Sequence, residues 1–479
     1  MAVSRAKLFI ENFLVYGLGS VMSKIVPLIM LPIVTRLMPN AFYYGLSDIS
    51  NIVVSFGSSI AIMGMYDVMF RMFFDKEDLE YKKEVCSSAF SFTFFSGLVE
   101  AVVLLIFKGF CSQLFFSSER YSQLLTISAV SVFVSTISSI IIAPTRMLNK
   151  RKIFLVTNTV TPILAYSISI PMLMHKMYVT ALPLAGLASS IIMLVIFYVL
   201  NTDWFSFKKI NKRLIKEMLK LGIPLMPGFL LYWIFNSCDR MFIAKYLGNA
   251  QVGIYGIGAR VASISQFIYI AFANGWQYFA FSTMKSDDQV ELTSNIFEYL
   301  GVISFTTILV LTPFSDIIFG IFFRGDYVKG AVVFPYLFLA PLLLMLYQTE
   351  GNQFLVIKKT WPGTLILTAG ALSNVVFNYL LIPFLGIEGS ALATLTGYII
   401  TVIVCSIVLQ RMKLIIISKR FLIDCAITGA FFIFWRIVLN KNFVLSFLLS
   451  IFMIFCFAFM YKKELLFIKN KICGFIKSK

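Results

Sequence analysis

The chain has 479 residues, 59% of them hydrophobic and 13% charged, and carries a net charge of +18 at pH 7. Its mean hydropathy of +0.88 excludes a soluble globular protein, because too few polar residues remain to cover a folded surface. The apolar runs lack the alternation of a β-barrel, so we expect an integral membrane protein built from helices. With one histidine, His175, and seven scattered cysteines without a Cys-x-x-Cys pair, we expect no metal site and no disulfide framework.

Long apolar runs recur along the chain, and each is near the ~20 residues that a helix needs to cross the hydrocarbon core. The first run follows Arg5 and Lys7 and has no small-residue cleavage site, so it is predicted to be a membrane span and not a signal peptide. The sequence therefore predicts an all-α membrane protein with fourteen spans, at 9–34, 43–66, 86–107, 123–143, 154–174, 179–200, 221–243, 251–275, 295–315, 331–355, 363–385, 390–410, 421–439 and 443–461.

The loops between successive spans lie alternately on the two sides of the membrane, and the basic residues are distributed unequally between these sides. Of the 41 Lys and Arg residues, 29 lie on the side of both termini, eight on the other side and four inside spans. By the positive-inside rule, both termini are expected in the cytoplasm. The positive charge is thus explained by topology, and no nucleic-acid partner is expected. The basic tail from Lys462 is expected to lie on anionic lipid.

Two segments about 209 residues apart are alike, TRLMPNAFYYG from Thr35 and AKYLGNAQVGIYG from Ala244. Each joins two spans on the outer side, and the matched spans are six apart. Because six is even, the two halves are predicted to be parallel repeats, which commonly enclose a central site. The expected organisation is a six-helix lobe at 1–205, a second six-helix lobe at 206–412, and a helix pair with a basic tail at 413–479.

Four segments carry a family resemblance: TRLMPNAFYYG, YLGNAQVGIYGIGARVASI, AFANGWQYFAFS and LGIEGSALATLTGYI. Through them the chain resembles the polysaccharide flippases (Wzx type) of the multidrug, oligosaccharidyl-lipid and polysaccharide (MOP) exporter superfamily. The resemblance implies a transporter of the bacterial inner membrane, not an enzyme, that needs no cofactor. It implies movement of an undecaprenyl-diphosphate-linked oligosaccharide, of O-antigen or capsule type, to the outer leaflet by alternating access. A polysaccharide polymerase and a chain-length regulator are candidate partners.

Lys24 and Arg260 lie inside predicted spans, each about 15 Å from the outer end at 1.5 Å per residue, which is near the bilayer midplane. Our hypothesis is that both line a water-filled cavity and attract the diphosphate of the donor, Arg by bidentate contacts and Lys as a point charge. The alternatives are snorkelling or structural ion pairs with acids such as Asp48 or Glu100. Small residues that share a face with these cations leave room for a bulky ligand or a closely packed neighbour: Gly17, Ser20, Gly253, Gly256 and Ser263.

Arg240 lies three residues from the outer end of its span and is either a third cavity cation or exposed at the outer mouth. Adjacent helix residues do not face each other, so Arg240 and Asp239 are expected in separate environments. The chain has no Gly-x-x-x-x-Gly-Lys-Ser/Thr phosphate loop, so we expect an ion gradient or the membrane potential to drive transport. The candidates for proton or sodium coupling are Asp48, Glu100 and Glu350, and the alternative for Glu350 is a polar helix end.

The fourth predicted span carries a stripe of serines, Ser128, Ser131, Ser135 and Ser138, whose spacing favours close helix packing. Three other functions remain open. A multidrug exporter would present acids, not cations, to a cationic drug. A membrane-embedded polymerase or glycosyltransferase would need positioned acids or bases at an extramembrane face, where the outer loops are short. A scaffold of a polysaccharide assembly complex would tolerate neutral residues at 24 and 260.

Overall fold

The computed structural model describes residues 23–282, 286–359, 361–439, 442–464 and 466. Within these residues the chain forms helices and turns, without a β-strand, and the prediction of an all-α membrane protein is confirmed. The helices in chain order are α1 (23–37), α2 (Ala41–Ile62), α3 (Met65–Phe73), α4 (Leu79–Ile106), α5 (Lys108–Phe116), α6 (Ser122–Met147), α7 (Arg151–Met174), α8 (Ala181–Asn201), α9 (Lys212–Gly222), α10 (Met226–Leu247), α11 (Asn249–Ala262), α12 (Ser265–Ser282), α13 (Gln289–Leu311), α14 (Ser315–Phe322), α15 (Phe334–Val356), α16 (Trp361–Arg411), α17 (Lys419–Ile433) and α18 (Phe443–Met460).

Polar side chains determine where several of these helices begin. Asn40 accepts a hydrogen bond from the backbone N–H of Phe42 at the start of α2, and Asp78 accepts from two N–H groups at the start of α4. Asn211 and Ser418 cap α9 and α17 in the same way. A cap satisfies N–H groups that have no partner inside the helix. The turn that contains Asn40 therefore ends in a defined helix start.

The described residues contain ten helices that are long and apolar enough to cross a membrane. The number is eleven if the short helix Gly325–Val332 and the adjoining α15, which are bent relative to each other, form one span. The predicted number of fourteen is therefore not confirmed. Part of the difference lies in α16, which folds back at Gly386, where φ is +61° and the left-handed conformation favours glycine. Ser390 donates a hydrogen bond to Asn378 (2.6 Å), and Asn374 donates to Thr394 (3.0 Å). These pairs show that the two segments of α16 run antiparallel.

The predicted span at 251–275 is not one continuous helix. It is divided between α11 and α12, which are separated by a turn at Ser263 and Ile264. The backbone N–H groups of Ile264, Gln266 and Phe267 donate to carbonyls three residues earlier. Such bonds tighten the backbone and end the regular four-residue pattern of an α-helix. The hydropathy of this segment is continuous, so the break could not be recognised from apolar length alone.

Contacts between Cα atoms divide the chain into two compact units. The first unit comprises the described residues up to Arg260, Phe323–Gly330 and Val375–Ser390. The second comprises Val261–Phe322, Ala331–Asn374 and the described residues from Ala391 onward. In the first unit, α6 packs against α2, α4 and α8, and in the second, α13 packs against α15, α17 and α18. The lobe boundaries expected at 205–206 and 412–413 stay predictions.

A polar cluster in the second unit joins α13, α17 and the residues after α18. The Tyr461 hydroxyl lies 2.8 Å from Glu298 Oε1 and 2.8 Å from Asp424 Oδ2, and both carboxyl groups are buried. Arg420 lies 3.5 Å from Glu298 and covers the Tyr461 ring. Its second nitrogen donates to Glu464 (2.8 Å) and lowers the pKa of that carboxyl group. We call these five residues the Tyr461 cluster.

A hydroxyl group has one proton to donate, so Tyr461 cannot satisfy two ionised carboxylates at the same time. The hydroxyl proton is therefore donated to one of the two carboxyl groups at a time, while Arg420 lies within ion-pair distance of Glu298. These contacts join α13, α17 and the residue that follows α18 in one buried polar cluster.

We predict that Tyr461→Phe lowers the thermal stability of the detergent-solubilised protein. Phe fills the same volume but leaves two buried carboxyl groups without their shared donor, which costs about 1–3 kcal/mol. Thermal unfolding followed by intrinsic fluorescence measures the effect. Tyr299→Phe is the matched control, because Tyr299 lies on α13 with an exposed side chain. Equal unfolding midpoints for the two variants would contradict the role of the Tyr461 cluster.

Candidate functional site

A cavity of about 290 Å³ lies inside the first unit, between residues of α1, α2, α7, α8 and α11. Its polar wall consists of Tyr44, Ser47, Asp48, Asn51, Tyr166, Ser169 and Arg260. Its apolar wall includes Pro27 and Pro162, which lie inside α1 and α7. Arg260 is the basic residue of the described lining and keeps 36% of its side chain exposed. We call this space the cation cavity.

Asp48 lies between two guanidinium groups in the cavity wall. Arg240 Nε donates to Asp48 Oδ2 at 2.7 Å, and Arg260 Nη2 lies 3.9 Å from Asp48 Oδ1. The contact with Arg240 is a charge-assisted hydrogen bond. The contact with Arg260 is an ion pair, because its distance is too long for a hydrogen bond. Because Asp48 is 7% exposed, its charge would be costly without these cations. Of the predicted site residues, the structure thus brings Asp48, Arg240 and Arg260 together.

Arg240 and Asp239 do not have the separate environments that we expected. Arg240 Nη1 lies 3.3 Å from Asp239 Oδ1 and also donates to the backbone carbonyl of Asn236 (2.8 Å). Asp239 accepts a hydrogen bond from the Tyr255 hydroxyl, whose ring lies 5.5 Å from the Arg240 guanidinium. The side chains of adjacent helix residues point in different directions. Arg240 still reaches Asp239 because its long, flexible side chain bends back along α10. With 14% of its side chain exposed, Arg240 is not among the described residues that line the cation cavity.

Small residues bring α2 and α11 into backbone contact beside this network. A methyl group added to Gly45 would overlap the carbonyl oxygen of Asn249, and one added to Gly253 would overlap the carbonyl oxygen of Ala41. A methyl group at Gly256 would lie 2.7 Å from Asp48 Oδ2. The small face of α11 therefore accommodates a closely packed neighbour, the second of the two possibilities that the sequence left open, and makes room for Asp48.

Lys24 lies on the described part of α1, half-buried, in the first unit. The residue before it, Ser23, lines a second cavity, and Pro27, one turn later, lines the cation cavity. Lys24 therefore occupies the stretch of α1 that runs between the two cavities. Gly17 and Ser20, predicted on the same face, lie outside the described residues.

The other two predicted coupling acids lie away from the cation cavity lining. Glu100, on α4, is half-buried and faces Gly57 of α2, where an added methyl group would lie 3.5 Å from Glu100 Oε1. Glu350, on α15, belongs to the second unit and is completely buried, with Oε2 accepting a hydrogen bond from Ser406 at 2.6 Å. Glu350 therefore does not belong to a polar helix end that reaches the lipid headgroups.

Tyr44, Tyr166 and Tyr255 are site residues that the sequence did not single out. Tyr44 and Tyr166 line the cation cavity, and Tyr255 binds Asp239. Aromatic residues make up 16% of the chain, so tyrosine alone gives no signal. The signal available was position, because Tyr44 and Tyr255 lie in the two repeated segments that begin at Thr35 and Ala244.

A family model described as polysaccharide biosynthesis protein matches residues 33–328, more than half of the chain, and the chain belongs to this family. An uncharacterized membrane protein of Methanocaldococcus jannaschii is 24% identical over 235 residues, which are 47% of this chain and 46% of that protein. The chain thus spans about half the length of this curated relative.

The fold is similar to that of two solved membrane transporters. The lipid II flippase MurJ, in an inward closed conformation, has a TM-score of 0.70 and 18% identity, over 93% of this chain and 98% of that chain. A multidrug resistance MATE family transporter of the MOP superfamily, in an inward-facing conformation, has a TM-score of 0.58 and 13% identity, over 82% and 97%. The expected membership of a polysaccharide family is thus confirmed, and the fold is that of these membrane transporters.

We predict that Asp48→Asn strongly destabilises the protein. The substitution removes the carboxylate that compensates Arg240 and Arg260, and breaking a buried ion pair on one side costs about 3–5 kcal/mol. Thermal unfolding in detergent gives the size of the effect. Asp326→Asn is the control, because Asp326 and its partner Lys329 are both well exposed (2.7 Å apart), and such pairs contribute about 0–1 kcal/mol. If both variants unfolded at the wild-type temperature, Asp48 would not organise this site.

Proposed function

We propose that this protein is a flippase that moves an undecaprenyl-diphosphate-linked oligosaccharide, of O-antigen or capsule type, from the cytoplasmic to the outer leaflet of the bacterial inner membrane. Alternating access between two six-helix lobes, with both termini in the cytoplasm, is the proposed mechanism. The observation that carries the proposal is Arg260, a partly exposed guanidinium in a cavity within membrane-spanning helices. Ionisable residues at such depth are expensive, and their usual place is a substrate pathway.

The charge balance of the site favours an anionic ligand. Asp48 is the acid of the described cavity lining, and its carboxylate is already bound by Arg240. Arg260 and Lys24 then provide positive potential at the cavity and beside it. A guanidinium has five N–H donors in a planar fork that matches phosphate oxygens, and the Lys ammonium adds a point charge. In this proposal, Arg240 acts through Asp48 and positions Arg260, while Arg260 and Lys24 attract the diphosphate.

A cationic drug is the less favoured substrate for the same reason. An exporter of cations would need an acid whose charge is available to the ligand, whereas Asp48 lies between two arginines. The polysaccharide biosynthesis family also supports a glycosylated lipid as cargo. In the proposed pathway, a polysaccharide polymerase and a chain-length regulator would act on the exported unit.

Glu350 is the best placed of the three candidate coupling acids. It is fully buried, and no Lys or Arg of the described chain lies within 4.0 Å of it. An ionised carboxylate in such a place costs several kcal/mol, so the group is stable when it carries a proton. Asp48, in contrast, forms ion pairs with two arginines, and Glu100 is only half-buried. The membrane potential would assist export of negative charge by ~2.3 kcal/mol per charge per 100 mV.

We predict that Arg260→Ala and Lys24→Ala each reduce transport of an undecaprenyl-diphosphate-linked disaccharide in proteoliposomes by about tenfold or more. Hydrogen bonds to charged groups contribute about 1.5–3 kcal/mol, and 1.4 kcal/mol is a factor of ten. Arg260→Lys should recover part of the rate, because it restores the charge but not the fork. Lys329→Ala, at an exposed residue, is the control. Wild-type rates in properly folded Arg260→Ala and Lys24→Ala protein would favour a scaffold over a flippase.

We predict that Glu350→Gln abolishes acceleration of transport by a proton gradient without removing the basal, potential-driven rate. Gln keeps the shape and an acceptor for Ser406 but cannot bind and release a proton. The measurement is the ratio of transport rates with and without an inward proton gradient. Glu291→Gln, at an exposed acid of α13, should keep the wild-type ratio. An unchanged ratio in Glu350→Gln would exclude Glu350 as the coupling acid.

A further inference from the structure

A second cavity of about 410 Å³ lies in the first unit beside the cation cavity, between residues of α1, α6, α7 and α8. Its size falls within the roughly 300–1,000 Å³ of small-molecule sites. The polar part of its described lining consists of hydroxyl and amide groups: Ser23, Ser135, Ser138, Thr157, Asn158, Thr161 and Ser190. The described lining contains no Asp, Glu, Lys or Arg. We call this space the hydroxyl cavity.

Several of these polar groups have no hydrogen-bond partner in the described protein. In a membrane helix, a Ser or Thr hydroxyl commonly donates to a carbonyl one turn earlier, as Thr157 and Thr161 do here. Ser135, Asn158 and Ser190 make no such bond within the described residues, and Ser138 Oγ is a buried oxygen without a partner. Leaving such groups unsatisfied is unfavourable, so they require water or a ligand in the cavity.

The backbone of α7 adds a further acceptor at the same place. Pro162 has no N–H, so the carbonyl of Asn158, four residues earlier, receives no helical hydrogen bond from it. Asn158 therefore combines an unpartnered side-chain amide with a carbonyl that lacks its usual helical donor. The serines at 135 and 138 belong to the stripe for which the sequence predicted close packing. Ser128 of that stripe does lie against a neighbouring helix, with its hydroxyl 2.7 Å from that of Ser50 on α2.

The chemistry of the hydroxyl cavity selects a neutral ligand rich in hydroxyl groups. Uncharged donors and acceptors surround the space, and Phe154 and Phe197 present apolar rings in the same wall. A sugar ring has this combination, with hydroxyl groups at its edge and C–H groups on its faces. A cationic or anionic ligand would find no opposite charge in the described lining.

The two cavities adjoin, because Pro162 and Ala165 of α7 line both. A single ligand that enters both would place a negative group near Arg260 and a polyhydroxylated group among Ser135, Asn158 and Ser190. Ser23 and Pro27 of α1 flank Lys24 in the same order, from the hydroxyl cavity to the cation cavity.

We propose that the hydroxyl cavity is the saccharide subsite of this protein and binds the sugar units next to the diphosphate of the lipid-linked donor. This inference rests on the proposed function. The cation cavity holds the diphosphate, which is common to all such donors, and the hydroxyl cavity distinguishes a glycosylated lipid from a bare one. Selection of the cargo then occurs within the first unit, by hydrogen bonds that a lipid diphosphate without sugar cannot make.

Binding to the purified full-length protein tests this subsite with two probes, undecaprenyl diphosphate and undecaprenyl diphosphate that carries a disaccharide. We expect the wild type to bind the glycosylated probe more tightly. Asn158→Leu should weaken binding of the glycosylated probe by about tenfold, as expected for lost hydrogen bonds to a buried site, and leave binding of undecaprenyl diphosphate within about twofold. Arg260→Ala should weaken binding of both probes.

The double variant Ser135→Ala/Ser190→Ala removes only two oxygen atoms and keeps the helices intact, so it tests the subsite even if Asn158→Leu folds poorly. Thr159→Val is the matched control, because Thr159 lies beside Asn158 on α7, donates to Leu155 (3.0 Å) and does not line the cavity. Equal affinity of the wild type for the two probes, or equal losses for both in the double variant, would overturn the saccharide subsite and leave the proposed flippase intact. If the wild type bound neither of the two probes, the proposed function would instead be overturned.

Discussion

The burial of Asp48 between Arg240 and Arg260 is the constraint on which the first unit depends. A carboxylate within membrane-spanning helices is stable only beside positive charge, and two arginines there need an acid in turn. This mutual requirement ties α2 to α10 and α11. Glycines at 45, 253 and 256 let the backbones approach closely enough for the charges to meet. Asp239 and Tyr255 complete the compensation around Arg240.

The same network leaves the charges unequal in their access to a ligand. Arg240 is enclosed by acids, an aromatic ring and a backbone carbonyl, whereas Arg260 faces the cation cavity. One arginine therefore serves the structure, and the other remains accessible. The two arginines differ because only Arg260 lines the described part of the cavity.

Proline residues connect this electrostatic site to a neutral one. Pro162 belongs to the walls of both cavities and leaves the Asn158 carbonyl without a helical donor. The result is one unit with a charged compartment and a hydroxyl-rich compartment side by side. The second unit contains a buried acid of a different kind, Glu350, which has a hydroxyl donor and no cation within ion-pair distance among the described residues. In the function that we propose, the ligand is recognised in the first unit and the proton is bound in the second.

The sequence by itself determined the membrane class, the helical architecture and the family, and it singled out Asp48, Arg240 and Arg260 as candidate site residues. These follow from local properties, namely the length of apolar runs, the repeat at Thr35 and Ala244, and the rarity of charge inside spans. Only the tertiary structure decided that Asp48 pairs with Arg240 across 192 positions, that Tyr461 joins Glu298 to Asp424, and that half of a serine stripe lines a cavity. It also decided that Ser263 breaks a continuous apolar run and that α16 folds back at Gly386. Hydropathy records how favourable a residue is in the membrane, whereas the partner of a buried polar group depends on which helices meet, and no single segment contains that information.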